Sequence, residues 1–189
     1  MKLKDFDKIF SVNPTLQRLC RWAKATDGRH IALQGLRASA QSVAIAEMLR
    51  HTDKNILLVA DDGDGAGYAY FDIVQLLGNE RVAFFPAFYK HNHKSGATIA
   101  ENEILRTDSL NKISGKNPCI IVSYPEALVE KVVAASYFVG SKIELRKGQS
   151  YDMNGLVGQL QKAGFEEVDF VYEVGQYSQR GSIVDIFSY

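Results

Sequence analysis

Four short apolar runs, each followed by a stretch of helical periodicity, constrain the fold of this chain more than any other feature. They are "HIALQG" at 30–35, "NILLVA" at 55–60, "RVAFFPA" at 81–87 and "CIIVS" at 119–123. Their apolar character is too continuous for a sheet with one wet face, so they predict strands covered on both sides. Behind the first run, Val43, Ala44, Ala46, Met48 and Leu49 recur at helical spacing; behind the second, Tyr70, Phe71, Ile73, Val74 and Leu77 do the same. "IAENEILRTDSLNKI" follows the third run and "YPEALVEKVV" the fourth. Strands alternating with helices predict a parallel sheet with helices on both faces, an α/β fold. Ahead of it, Asn13 followed by Pro14 reads as an N-cap and first helical residue, opening a helix through Leu16, Leu19, Cys20 and Trp22.

The first strand–helix junction has the outline of a phosphate-binding loop. The signature G-x-x-x-x-G-K-[ST] falls on Gly35, Ala40, Gln41 and Ser42, so its first glycine and final hydroxyl are present and its second glycine and lysine are not. In a working loop, backbone N–H groups cradle the phosphates, the lysine reaches the β/γ-phosphates and the hydroxyl binds Mg²⁺. Gln41 cannot supply the cation, and Ala40 adds a Cβ where the backbone needs glycine angles. Charge-assisted bonds of this kind are worth about 1.5–3 kcal/mol each. The expectation is a degenerate loop that neither binds nucleotide tightly nor hydrolyses it. A plain glycine between strand and helix, with no functional past, is the competing structural reading.

Other polar motifs read as structure. In "VADD", Asp61 or Asp62 is better placed to cap the next helix than to hold a metal. His51, His91 and His93 lack ligands at metal spacing, and "HNH" reads as a solvated loop. Tyr68, Tyr70 and Phe71 fit a helix face, and "FFPAFY" a sheet edge. Lys+Arg and Asp+Glu balance at 22 each, which argues against a bulk electrostatic grip on nucleic acid and leaves only a local basic patch. Such a patch would be Arg37, Lys90, His91, His93 and Lys94. Cys20 and Cys119 lie far apart without a CxxC or a His/Cys cluster, which predicts reduced thiols. No apolar run approaches the ~20 residues of a membrane span.

The texture changes near residue 140. "SKIELRKG" reads as a short strand and "MNGLVGQLQKAG" as a helix with a glycine C-cap. "EEVDFVYEVGQYSQ" and "GSIVDIFSY" then alternate around a glycine bend and predict an antiparallel pair. One helix and one hairpin bury little surface, so the chain is expected to be a piece that stops inside a second module.

The C-terminal block "VDFVYEVGQYSQRGSIVDIFSY" resembles E-x-G-x-[FY]-x-x-R-G-x-[IVL]-[IVL]-[DE]-[IVL]-F-P, shared by UvrB and the UvrB-homology region of transcription-repair coupling factors (Mfd). Glu173, Gly175, Tyr177, Arg180, Gly181, Ile183, Val184, Asp185, Ile186 and Phe187 match, and Ser188 stands where the motif has proline. "RKGQSYDMNGLVGQLQKAGFEEVD" and "VSYPEALVEKVV" are similar to the family's preceding elements. UvrB carries an intact lysine loop and a long aromatic hairpin after its third strand. The interval from Pro86 to Ile99 is too short for that hairpin, so both departures favour the coupling factors.

The resemblance implies a helical lead-in at 1–26, a RecA-like domain at 27–141 similar to UvrB domain 1a, and part of a UvrA-docking module similar to UvrB domain 2 at 142–189. The reduced thiols and the lack of a long apolar run predict a cytoplasmic chain; the resemblance implies a non-catalytic region without metal or cofactor, whose parent is an ATP-dependent DNA translocase that removes stalled RNA polymerase. ATP, Mg²⁺, double-stranded DNA and RNA polymerase would engage other domains of that parent. By motif, Arg180 is carried over as the UvrA-binding arginine. The alternatives are an active nucleoside triphosphatase, a UvrB-type damage-recognition domain, or, for Arg180, no more than an ion pair with Glu173 or Asp169 in its own sheet. Gly175 and Gly181 are assigned to backbone shape and Phe187 to the core.

Overall fold

A computed structural model describes residues 10–25, 28, 30–88, 96–132 and 143–188. The chain forms two compact units, one comprising Met1–Ala87 with Asp108–Glu130 and the other Phe88–Thr107 with Lys131–Tyr189. Both are mixed helix and strand, as the sequence predicts.

In the first unit, helix α1 (Pro14–Lys24) starts where Asn13 Oδ1 accepts the N–H groups of Thr15 and Leu16 at 2.9 and 3.2 Å. This is the predicted cap, with proline at the position whose missing N–H costs nothing. Helix α2 (Ala40–Arg50) turns Ala44, Ala46 and Leu49 inward. Strand β1 (Ile56–Val59) leads to helix α3 (Gly63–Leu77), which Asp62 caps by accepting Gly65 N–H at 2.7 Å. Gly78, at φ +82°, ends α3 in the left-handed region that favours glycine. After a 3₁₀ turn at Asn79–Arg81 come β2 (Val82–Phe84), α4 (Gly96–Ile113), of which only Asp108–Ile113 belongs to this unit, β3 (Ile120–Ser123) and the one-turn α5 (Pro125–Leu128).

The three strands make a parallel sheet in the order β1–β3–β2, with Ile120 opposite both Ile56 and Val82. Every residue of β3 is buried, so both faces of the central strand are covered. Helix α3 packs on β2 and β3. From α4, Ser109 Oγ donates to the Phe84 carbonyl at 2.9 Å and Lys112 Nζ to the Val82 carbonyl at 2.9 Å. Arg50, Arg81 and Asn55 likewise satisfy backbone groups across elements, Asn55 Oδ1 accepting Cys119 N–H at 3.0 Å and so pinning the β1–β3 register.

The predicted strand at 30–35 does not form. Residues 30–34 have no ladder partner among the described residues, and Ile31 and Leu33 are 40% and 42% exposed, so they are not the packing residues the sequence suggests. The apolar run Ile31–Leu33 is too short to fix a strand without a neighbour, because strand preference is mostly packing against the adjoining strand. Leu57 and Val59 of β1 are exposed as well, so double-sided burial fails at this edge. Tyr68 and Phe71 also point to solvent, while Tyr70 packs on Phe84. Helix α5 ends at Leu128, short of the predicted run to Val133, and the predicted basic loop at 90–94 lies outside the described residues.

In the second unit, residues 143–146 are not a strand as predicted; a turn follows, with Gln149 N–H on the Arg146 carbonyl. Helix α6 (Met153–Lys162) is capped by Asp152, whose Oδ2 accepts Gly155 N–H at 2.8 Å. It closes on Gly164 at φ +87°, where Gly164 N–H meets the Gln161 carbonyl and Phe165 N–H the Leu160 carbonyl. This pair of hydrogen bonds is the Schellman closure that the glycine after the helix allows. Strand β4 (Glu166–Glu167) runs parallel to β5 (Gln176–Arg180), which pairs antiparallel with β6 (Ile183–Phe187). The core is Leu156, Leu160 and Tyr177, with Ile143, Val157, Phe165, Val184 and Ile186 packed against it.

Candidate functional site

The β5–β6 hairpin has two faces set by the pleat. Tyr177 and Gln179 alternate with Ser178 and Arg180, and the ladder pairs Tyr177 with Ile186, Gln179 with Val184 and Arg180 with Ile183. Tyr177, Val184 and Ile186 therefore share the core face. Arg180, Ile183, Asp185 and Phe187 share the opposite one. Phe187, expected in the core, is 42% exposed for this reason.

The hairpin loop is two residues, Gly181 and Ser182, and Gly181 has φ +62°. A glycine leading a two-residue hairpin supplies the positive φ that matches the strand twist. Gly175, at φ +83°, makes the bend into β5. Both glycines serve backbone shape, as expected from the sequence.

Arg180 thus stands exposed at the hairpin mouth. It does not pair with Glu173 or Asp169, the partners the sequence suggested. Its Nη2 meets Asp185 Oδ2 diagonally across the hairpin, with both side chains about half exposed, and its guanidinium lies 5.5 Å from the centre of the Phe170 ring. A solvent-exposed pair of this kind is worth about 0–1 kcal/mol, so it orients the arginine more than it stabilises the fold. Phe170 and Asp185 are absent from the sequence-derived site. The register signal for Asp185 was available: counting outward from Gly181–Ser182 puts it diagonal to Arg180 on one face.

At the degenerate loop, Gly35 has φ +82° and Ala38 φ +48°, an angle uncommon for a residue with a Cβ. Ala40, Gln41 and Ser42 form the first turn of α2, with Ser39 at the N-cap making no side-chain bond. Ala40 N–H is taken by the Arg37 carbonyl at 3.1 Å. Gln41 is exposed, and Ser42 is buried with its hydroxyl 3.4 Å from Asp72 Oδ2. Ala40, Gln41 and Ser42 open the helix and Gly35 lies in the loop before it, but the amide of Ala40 and the hydroxyl of Ser42 already have partners within the fold.

His51, unpartnered in the sequence reading, meets the buried carboxylate of Glu47, whose Oε1 lies 2.9 Å from His51 Nε2 while Oε2 accepts from Arg50 at 3.0 Å. A cavity of about 330 Å³ between α1 and α2 borders this cluster and Cys20. Burial, assisted by Glu47, pushes the Cys20 thiol up, so it is a poor nucleophile. Both cysteines are free and buried. Among the described residues there is no group of acids, histidines and cysteines that could hold a metal, and no helix is long and apolar enough to cross a membrane.

The hairpin with Arg180 lies inside the stretch matched by one family model, that of the UvrB interaction domain. Residues 143–189 match that domain. The resemblance carried by the Glu173–Phe187 residues therefore stands. It extends upstream of the UvrB interaction segment. The chain is 25% identical over 155 residues, 82% of its length, to the transcription-repair-coupling factor of Bacillus subtilis (strain 168). It is 22% identical over 167 residues to UvrABC system protein B of Streptococcus uberis (strain ATCC BAA-854 / 0140J). A third relative, the UvrABC system protein B of Levilactobacillus brevis, is 22% identical over 200 residues and aligns with 96% of this chain. The chain spans 13% of the coupling factor and 25% of the first UvrB protein. The likenesses are thus to a coupling factor and to UvrB proteins, and they take in the region upstream of 143 as well as the matched segment.

Proposed function

We propose that this chain is the UvrB-like docking region of a transcription-repair coupling factor and that Arg180 contacts UvrA. The observation that carries the reading is the exposed guanidinium at the mouth of a rigid hairpin, within the segment similar to a UvrB interaction domain. An arginine fork held by strands is suited to pairing with a carboxylate across an interface. Asp185 occupies Nη2, leaving other N–H groups of the fork to face outward.

The region is read as non-catalytic and cytoplasmic. Gln41 offers a carboxamide where a triphosphate needs a cation, and Ser42 is bonded to Asp72. The wider parent activity, ATP-driven translocation on double-stranded DNA with removal of stalled RNA polymerase, is proposed for domains other than this one. Recruitment of UvrA by this region would then link a halted polymerase to excision repair.

The test is binding of purified UvrA to this chain and to its Arg180→Ala variant by calorimetry. Loss of one central arginine should weaken binding by roughly tenfold or more, as truncation of an interface hot spot does. Equal affinity would remove Arg180 from the contact, and no binding by the wild type would remove the docking reading.

A further inference from the structure

We propose that the docking surface is an aromatic shelf beneath Arg180, in which Phe170 and Tyr172 touch the partner directly. The partner's complementary face is then an apolar patch holding one carboxylate and ringed by cations. The inference rests on the UvrA-docking reading and adds the residues and the chemistry of recognition.

Phe170, Tyr172 and Ile183 are 58%, 77% and 60% exposed. Nothing in the core needs them, because Leu156, Leu160 and Tyr177 are packed by Val157, Phe165, Val184 and Ile186 from the other side. They are contiguous. The Arg180 guanidinium lies over Phe170, the Phe170 and Tyr172 rings are 6.5 Å apart, and Ile183 is the ladder partner of Arg180. Aromatic residues and arginine gathered around one exposed point are the composition of interface hot spots, where a large apolar area and a planar fork are desolvated together.

The shelf is also held in place before anything binds. Val168 N–H donates to the Tyr177 carbonyl at 2.9 Å, and Ser178 Oγ donates to the Asp169 carbonyl at 2.9 Å. At the other end, Gln176 Oε1 accepts the N–H groups of Tyr172 and Glu173 at 3.0 and 2.9 Å. Residues 169–173 are therefore tied to β5 at both ends, which reduces the ordering cost of binding.

Charge selects the occupant. Between residues 164 and 188, with Glu167 turned to Tyr177 on the core side, the exposed acids Glu166, Asp169 and Glu173 and the half-exposed Asp185 outnumber the one cation, Arg180. A second copy of this chain would bring the same acidic surface against itself, and a nucleic acid would bring phosphates; both repel. A protein face with basic residues around an apolar centre attracts, and one carboxylate there meets the free side of the Arg180 fork.

The experiment is a double-mutant cycle with purified UvrA and the full chain, using Phe170→Ala, Tyr172→Ala and Arg180→Ala alone and Phe170→Ala combined with Arg180→Ala. Circular dichroism of each variant checks that the fold is kept. Each aromatic substitution should weaken binding roughly fivefold to tenfold. Phe170→Ala should weaken binding further in the Arg180→Ala background, since a residue that only positions Arg180 has nothing left to position there. If wild type binds and Arg180→Ala weakens it while both aromatic variants bind as wild type, the shelf is overturned and the Arg180 docking reading stands. If wild type does not bind UvrA, both fall. Self-association of the chain that the aromatic substitutions abolish, read by sedimentation, would make the occupant a second copy and overturn the proposal.

Discussion

The Tyr124 hydroxyl accepts the backbone N–H of Ala87 at 2.9 Å, tying the residue after β3 to the chain leaving β2. Both residues are buried, so the amide has no water to replace the phenol. The Tyr124 ring also stands against Phe84 and over Gly63. Tyr124→Phe keeps the ring and removes only the acceptor. An unsatisfied buried N–H costs about 1–3 kcal/mol, so the first unit should unfold at correspondingly lower denaturant. Trp22, the single tryptophan and part of that unit, gives the fluorescence signal; an unchanged midpoint would mean the bond contributes nothing.

Asp152 holds the start of α6 through Gly155 N–H. Asp152→Ala should cost about 0.5–2 kcal/mol, whereas Asp152→Asn, which still offers an oxygen, should cost much less. Hydrogen exchange of the α6 amides distinguishes the two, with faster exchange expected only in the alanine variant.

Burial pushes the Tyr177 phenol above its ordinary value of 10.0; Glu167, which accepts its hydroxyl hydrogen at 3.0 Å, pushes the same way, and a bond from Gln161 opposes. The folded state thus holds this proton more tightly than the unfolded state. The stabilisation is fully present below the ordinary value and is lost as pH rises through and above it. Stability of the second unit should therefore fall more steeply at alkaline pH in the wild type than in Tyr177→Phe. Parallel pH profiles of the two proteins would show that the phenol titrates normally.

The degenerate loop should show no micromolar affinity for labelled ATP with Mg²⁺, in the wild type or in Gln41→Lys. Restoring an ammonium leaves Ala40 N–H on Arg37 and the Ser42 hydroxyl on Asp72, so the cradle and the metal ligand remain engaged elsewhere. Micromolar binding by the wild type would overturn the non-catalytic reading. Micromolar binding by Gln41→Lys alone would show that the lysine is the sole lesion.

What the residues announce locally, the structure keeps. The caps at Asn13, Asp62 and Asp152, the glycine closure at Gly164 and the turn at Gly181 each depend on a side chain or a φ angle within a few positions. The runs at 56–59, 82–84 and 120–123 are strands because their apolar length leaves few alternatives. The motif around Arg180 also carried the resemblance to UvrB and the coupling factors without any coordinates.

The remainder needed the assembled chain. Whether 30–35 is a strand depends on a neighbour to pair with, and the sheet supplies none among the described residues. That Ser42 is bonded to Asp72, and that Arg180 meets Asp185 and Phe170 instead of Glu173 or Asp169, are facts about side chains brought together from separate elements. Sequence alone determined the helix caps, the turns, the three apolar strands and which family the chain resembles, because those signals are short-range. Only the tertiary structure decided which polar and aromatic groups are free to meet a partner, since a group's freedom is set by what packs beside it.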